Sequence, residues 1–363
     1  MSFRPALSNA GTHDEFDLFA SPGEPHTCQR VGALVVIPEL LRELGQDPDP
    51  VIRSAGIEGS ALQDPEAILT FEQVGRLFRA CVEATGCEHF GLLVGQRSAT
   101  ASLNLVGRLM RNAPTLKNAI TDLCVNQQRY VRGSVVYLIV TGDIAMWGFA
   151  VHYPNMDAVE QFSEAAIAVG CNYLRELVGV TPNIVLSARS APKDITQYQR
   201  FYGSTPQFDA DQYALAFPAR CLDLPVRGAD RDLRAQLERM VASYWAVREP
   251  GVTDRVARIL RGGIHVGTTS LEDVARDLLL GPRTLNRRLQ AEGSSFRALL
   301  SGTRYLVARQ LLASTRTEVT PIALALGYAD STAFTRAFRT WSGEAPSEWR
   351  RQFHSRKRLV TRM

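Results

Sequence analysis

The chain has no Cys-x-x-Cys pair, and its six cysteines, Cys28, Cys81, Cys87, Cys124, Cys171 and Cys221, are scattered without clustered histidines. That excludes a zinc-binding cysteine cluster and a disulfide framework, and it predicts buried thiols in a reducing cytoplasm with no metal site. The motifs GxSxG, HExxH and GxxxxGK[ST] are absent, so a serine-hydrolase elbow, a zinc protease helix and a P-loop have no basis in the sequence. Cys81 and Cys87 have only His89 near them, at what reads as a helix end, and no cofactor is implied. Long apolar runs are missing too. The most apolar stretch, "VVYLIVTGDIAMWGFAVHY", is broken by Thr-Gly-Asp and reads as a β-hairpin over about 134–153, not as a membrane span. No secretory signal peptide is recognisable, and the expected location is the cytoplasm.

Lysine is the scarcest charge where it would matter most. Residues 253–363 hold 19 Lys and Arg against 9 Asp and Glu, a net of +10, and of those cations only Lys357 is a lysine. Residues 1–252 hold 22 basic and 28 acidic residues, a net of −6. A strongly basic last third on a mildly acidic body points to a polyanionic partner for that third. Arginine also suits planar, bidentate contacts to phosphate and guanine. Elsewhere the composition, 45% hydrophobic and 21% charged over 363 residues, is that of an ordinary soluble protein large enough for two domains.

Residues 1–27 are polar, punctuated by Pro and Gly, and read as a mobile arm. From 28 to 245 helix and strand patterns mix without βαβ alternation, which predicts an α+β domain. Thr70 and Gln73 form a capping box before a helix with Val74, Leu77, Phe78, Cys81 and Val82 on one face, ended by Gly86. A long helix is expected over 157–178, strands at "NIVLSA" and "YALAFP" around a helix in "APKDITQYQRFYG", and a further helix from Asp230 to Trp245. Residues 246–252 read as a linker. From 253 to 353 every signal is helical, and 354–363 form a basic tail. Ser270 with Asp273 makes a second capping box, Gly281-Pro282 opens a helix, Phe296 to Ala313 reads as a long one, and Thr320-Pro321 starts another.

The all-α segment contains a repeat. "DVARDLLLGPRTLNRRL" and "PIALALGYADSTAFTRAF" align Val274-Ala275 with Ile322-Ala323 and Leu278 with Leu326. After a one-residue shift they align Leu285 with Phe334, Arg287 with Arg336 and Leu289 with Phe338. Each unit is a short helix, a turn and a second helix with a basic, hydroxyl- or amide-bearing face, which is the helix-turn-helix layout. In the second unit Asp330 can cap a helix whose Phe334, Ala337, Phe338 and Trp341 share one apolar face. Thr332, Thr335, Arg336 and Arg339 lie on another side of it.

Residues 253–353 resemble the DNA-binding domain of the AraC/XylS family of bacterial transcription regulators. The second unit carries the more specific pattern in Ile322-Ala323, Gly327-Tyr328, Phe334, Arg336-Ala337-Phe338, Gly343, Pro346 and Trp349-Arg350. Departures are mild: Tyr328 for a usual Phe, Gly281 for a usual Ser cap, and Leu289 for a usual Phe. The resemblance implies an all-α domain of two helix-turn-helix units joined by a long helix, and double-stranded DNA as partner. It implies DNA contacts through Arg283, Asn286 and Arg287, and through Ser331, Thr332, Thr335 and Arg336. Thr284 and Arg339 share those faces. Contact with RNA polymerase, as an activator, is a further family expectation.

The stretches "GRLMRNAPTLKNAITDL", "RYVRGSVVYLIV", "QFSEAAIAVGCNYLREL" and "QYQRFYGSTPQFDADQYALAFPARCLDLPVRGAD" resemble the effector domain of regulators grouped with the ornithine-utilisation activator, often labelled arabinose-binding-like. A small-molecule effector and a homodimer are what that resemblance implies, with the effector unnamed. Polar and aromatic groups beside the hairpin, Arg129, Tyr130, Arg132, Tyr137, Trp147 and His152, are the candidate effector contacts. Two other readings stay open at this point: a ligand-independent dimeric regulator, and an enzyme fused to a DNA-binding domain.

Overall fold

A computed structural model describes residues 27–127, 130–151, 156–248, 251–264 and 269–360. Of the features expected above, the arm before Thr27, Arg129, His152 and part of the expected linker lie outside the described residues.

The body opens on strand β1 (Cys28–Arg30), followed by α1 (Ile37–Glu43), α2 (Pro48–Ser54) and β2 (Ile68–Thr70). Next come α3 (Phe71–Thr85), α4 (Phe90–Gln96), α5 (Asn104–Arg111), α6 (Leu116–Asn126) and β3 (Val131–Arg132). The hairpin is β4 (Ser134–Thr141) and β5 (Ile144–Val151), and α7 (Val159–Val178), β6 (Ile184–Leu186), α8 (Thr196–Tyr202), β7 (Tyr213–Pro218) and α9 (Arg231–Arg248) complete the series. Two antiparallel sheets result, one in the order β2-β1-β3 and one in the order β4-β5-β7-β6. The capping box at α3 forms in both directions: Gln73 N donates to Thr70 Oγ1 and Thr70 N donates to Gln73 Oε1. Arg234 on α9 makes a two-pronged ion pair with Asp122 on α6, at 2.9 and 3.2 Å, yet burial outweighs that partner and raises the Asp122 carboxyl to about 6.

The all-α segment is α10 (Val252–Ile264), α11 (Leu271–Asp277), α12 (Pro282–Ala291), α13 (Phe296–Ser314), α14 (Val319–Ala325), α15 (Ser331–Ser342) and α16 (Pro346–Val360). Helix α9 continues to Arg248 and α10 begins at Val252, so helix occupies both ends of the expected linker. Ser270 accepts from Asp273 N at 3.0 Å, but the return bond goes from the Ser270 hydroxyl to the Asp273 carboxylate, so half of the expected capping box forms. Helix α14 starts one residue before Thr320, with Glu318 at its N-cap and no side-chain cap.

The two units have separate cores. Val252, Val256, Leu260, Val274, Ala275, Leu285 and Leu289 pack together in the first, and Ile322, Ala323, Leu326, Phe334 and Phe338 in the second; Leu300 on α13 touches both. Each unit turns after its first helix through a left-handed residue. In the second it is Gly327, at φ 75°, and in the first it is Leu279, at φ 54° and 89% exposed. A side chain with a Cβ strains that conformation, and an exposed leucine recovers nothing by packing. Leu279→Gly should therefore stabilise the chain by about 0.5–1 kcal/mol after the extra chain entropy of glycine is subtracted. Urea unfolding would check it; a lower midpoint would mean that Leu279 is held by contacts outside this unit.

The sheet β4-β5-β7-β6 is covered on both faces. Along β4, Val135, Tyr137 and Ile139 join the core of the second helix-turn-helix unit, while Val136 and Leu138 face the core of the body. On β5, Ala150 joins the first group and Ala145, Trp147 and Phe149 the second. Burial on both faces accounts for the apolar run from Val135 to Ile139, whereas Val140, the last residue of "VVYLIV", is 46% exposed. At the seam the Tyr137 hydroxyl donates to Gln212 Oε1 at 2.6 Å and the Thr317 hydroxyl donates to the same oxygen at 3.0 Å. Nearby, Arg316 N donates to Asp211 O at 2.9 Å. Helix α10 meets α6 at Gly262, where a Cβ would stand 2.3 Å from Val125 Cα, so only glycine permits that approach. Among the described residues no helix is long and apolar enough to cross a membrane, and no group of His, Cys, Asp and Glu could hold a metal ion.

Candidate nucleic-acid interface and ligand cavity

Helix α12 begins at Pro282, which needs no N–H partner at that position, with Gly281 at the N-cap. It buries Leu285 and Leu289, and this fixes the opposite face outward: Arg283 and Arg287 are exposed, Thr284 and Asn286 half-buried. Helix α15 is capped by Asp330, whose carboxylate accepts from Ala333 N at 2.7 Å. It buries Phe334 and Phe338 completely. Phe334 and Phe338 lie 5.7 Å apart, and Phe338 also meets Tyr305 at 5.6 Å and Trp349 at 6.2 Å between ring centroids. The Trp341 indole N–H donates to Ser301 Oγ at 2.9 Å, which fixes the last turn against α13. With that face anchored, Thr332, Arg336 and Arg339 are exposed and Ser331 and Thr335 half-buried. Arg283, Arg287, Arg336 and Arg339 make no ion pair among the described residues. The nine residues expected to meet DNA thus fall into two outward patches, one per unit. The first combines arginine with a hydroxyl and an amide and the second combines arginine with hydroxyls, donors of the kind that read base edges and hold phosphates.

The body holds a cavity of about 150 Å³ on the opposite side of the β4–β5 sheet from the second unit. Its floor is the sheet, with Val136, Trp147, Phe149 and Leu215. Helix α7 supplies Phe162, Ala166, Gly170 and Tyr173, and β1 and α6 close the remaining sides with Gln29, Leu123 and Gln127. Of the residues named from sequence, Tyr130 and Trp147 line this cavity. Tyr137 does not: it points through the other face of the sheet into the seam with Gln212. Arg132 stands on β3 opposite Cys28 and is not among the lining residues. Gln29, Gln127, Phe162 and Tyr173 are wall residues not named from sequence as effector contacts. Of these, Phe162 and Tyr173 fall on the apolar face of the α7 pattern, which could have found them.

The thiols are core groups. Burial pushes Cys81 and Cys124 up to about 12 and Cys171 to about 11, so each is a protonated, weakly nucleophilic side chain at neutral pH. Burial also raises Cys87 and lowers His89.

Comparison with known proteins agrees with this geometry. Residues 45–226 match the family model described as the arabinose-binding domain of AraC transcription regulator, N-terminal, and residues 274–352 match a helix-turn-helix domain model. The HTH-type transcriptional regulator VirS of Mycobacterium tuberculosis is 27% identical over 318 residues, 86% of this chain and 93% of VirS. The ornithine utilization regulator of Pseudomonas aeruginosa is 26% identical over 319 residues, again 86% of this chain and 93% of its own length. A mixed α/β body with an apolar cavity, two helix-turn-helix units with outward arginines, and matches to both halves give one conclusion: the chain belongs to the AraC family of transcription regulators, with an arabinose-binding-like N-terminal domain.

Proposed function

We propose that the protein is a transcription activator that binds operator DNA as a homodimer, contacts RNA polymerase, and changes its DNA affinity when a small molecule enters the body cavity. The observation that carries the coupling is the two-sided sheet. The cavity rests on one face of β4–β5 and the core of the second helix-turn-helix unit rests on the other. A ligand that shifts β4 by a fraction of an ångström must therefore repack Val135, Tyr137 and Ile139 against that unit, because packed cores have few intermediate arrangements. Burial keeps the Cys81 and Cys124 thiols protonated, so neither is poised as a nucleophile.

Arg283, Thr284, Asn286 and Arg287 on α12, and Ser331, Thr332, Thr335, Arg336 and Arg339 on α15, are the DNA-contacting set in this proposal. Operator sites would be selected from a random duplex pool with the full-length protein, then titrated with and without a metabolite library. An affinity that no compound alters would leave a DNA-binding dimer without an effector. Arg336→Ala and Arg287→Ala should each weaken binding to the selected site by about 1–3 kcal/mol where the arginine reads a base. Equal losses on selected and random duplex would identify that arginine as a phosphate contact.

A further inference from the structure

The cavity is too poor in free polar groups for the sugar that its family label names. Arg30 is the one charged side chain among the described lining residues. It is already engaged, donating to Glu66 O at 2.8 Å and pairing with the Glu66 carboxylate at 3.2 Å. Gln127 is bonded at both ends of its amide, to Ser134 O at 2.5 Å and from Val136 N at 2.7 Å. The Tyr130 hydroxyl donates to Leu103 O, and the Ser102 hydroxyl to Ala99 O at 2.7 Å. Gln29 differs from all of these. It is 94% buried (6% exposed) and lines the cavity, and its Oε1, closed to solvent, has no hydrogen-bond partner, so a turn of the side-chain amide is what brings that oxygen to a ligand.

We infer that the cavity selects an uncharged, largely apolar molecule about the size of one aromatic ring, carrying one hydrogen-bond donor that it presents to Gln29 Oε1. The inference rests on the reading of this cavity as the effector site. Size sets the first part: an apolar cavity of about 150 Å³ holds one benzene ring, and this one has that volume. The walls set the second. Val136, Trp147, Phe149, Phe162 and Leu215 give apolar and aromatic contact and no counter-charge. A zwitterionic amino acid would lose its hydration without compensation, and so would most of the hydroxyls of a pentose. Gln29 sets the third part, because its buried carbonyl oxygen without a partner is a standing cost that a ligand donor removes once the amide turns toward it.

Isothermal titration of the full-length protein tests this with four probes: benzyl alcohol, ethylbenzene, L-arabinose and L-ornithine. The first two have nearly the same shape and differ in the donor. Both should bind saturably, and both should be lost in Ala166→Phe, which fills the cavity. Gln29→Met should weaken benzyl alcohol by about two- to tenfold, the worth of one hydrogen bond, and leave ethylbenzene no weaker. Unaltered ethylbenzene binding also shows that the variant is folded. Three outcomes would overturn the inference: neither aromatic binds the wild type, both weaken equally in Gln29→Met, or arabinose or ornithine binds more tightly than benzyl alcohol in a manner abolished by Ala166→Phe. Operator affinity, measured on the same samples, separates the two levels. Aromatic binding with the expected Gln29 dependence but no change in DNA affinity would leave the ligand class standing and defeat the effector role.

Discussion

Phe338→Ala is expected to destabilise the protein by about 3–5 kcal/mol, the range for removing a fully buried phenyl ring. Phe338 is fully buried and packs against Tyr305, Phe334, Trp341 and Trp349 with centroid distances of 5.6 to 6.4 Å. Its neighbours are large rings whose own positions depend on one another, so the space left behind cannot close by small shifts, and edge-to-face contacts are lost with the area. The damage should not stay in the reading helix. The same core includes Val135, Tyr137 and Ile139 of the body, so a urea titration should show a lower midpoint in probes of both halves. Binding to selected and random duplex should fall together, unlike the pattern for an arginine that reads a base. Unchanged unfolding would mean that α15 is turned with Phe338 outward.

A five-base-pair insertion between the two segments touched by one chain is expected to lower affinity by about 3 kcal/mol or more, a hundredfold or greater loss, because one unit forfeits its base contacts. Successive major-groove openings on one face of B-DNA lie about 34 Å apart. Helix α13, 19 residues from Phe296 to Ser314, is about 28 Å long at 1.5 Å per residue, of the length needed to set two units over adjacent grooves. The connection is stiff. Leu300 packs into both cores, and Arg350 on α16 donates to Leu312 O at 3.1 Å and Thr317 O at 2.6 Å, fastening the end of α13 to the second unit. Such a strut cannot follow a segment swung half a turn to the far side of the duplex. Footprints of full-length protein on inserted and parental sites measure the loss, and insertion between two whole sites should be tolerated better. Equal affinity would mean that one unit alone enters the DNA.

The outward arginine-bearing faces of the two units were legible because their signals are local. Asp330 before an apolar face at helical spacing, Gly281-Pro282, and the alignment of Leu285 and Leu289 with Phe334 and Phe338 each follow from the chain within a few residues. The observed helices carry those side chains inward and the arginines outward. The cavity was legible only in part, for a different reason. In "VVYLIV" every residue is apolar, so alternation cannot say which parity faces which layer. Tyr137 and Trp147 are therefore indistinguishable as candidates in the sequence, although they leave the sheet on opposite faces. Gln29 sits on a three-residue strand with no period to detect, and it gains its meaning from α7, more than a hundred residues away in sequence. The contact between Gln212 and Thr317 is likewise a product of tertiary packing, with no sequence signature of its own.

Because the outer face of β4 completes the core of the second helix-turn-helix unit, the backbone crossing between Arg248 and Val252 is not the true joint of the molecule. A chimaera cut there, joining this reader to another regulator's sensor, would carry Ile322 and Leu326 away from Val135, Tyr137 and Ile139 and leave apolar surface on both products. Exchangeable parts would have to include the foreign equivalent of that strand face, rebuilt to match. Sensor and reader in this chain are then constrained to change together along β4, and a library that varies Val135, Tyr137 and Ile139 with Ile322 and Leu326 is the place to look for compatible hybrids.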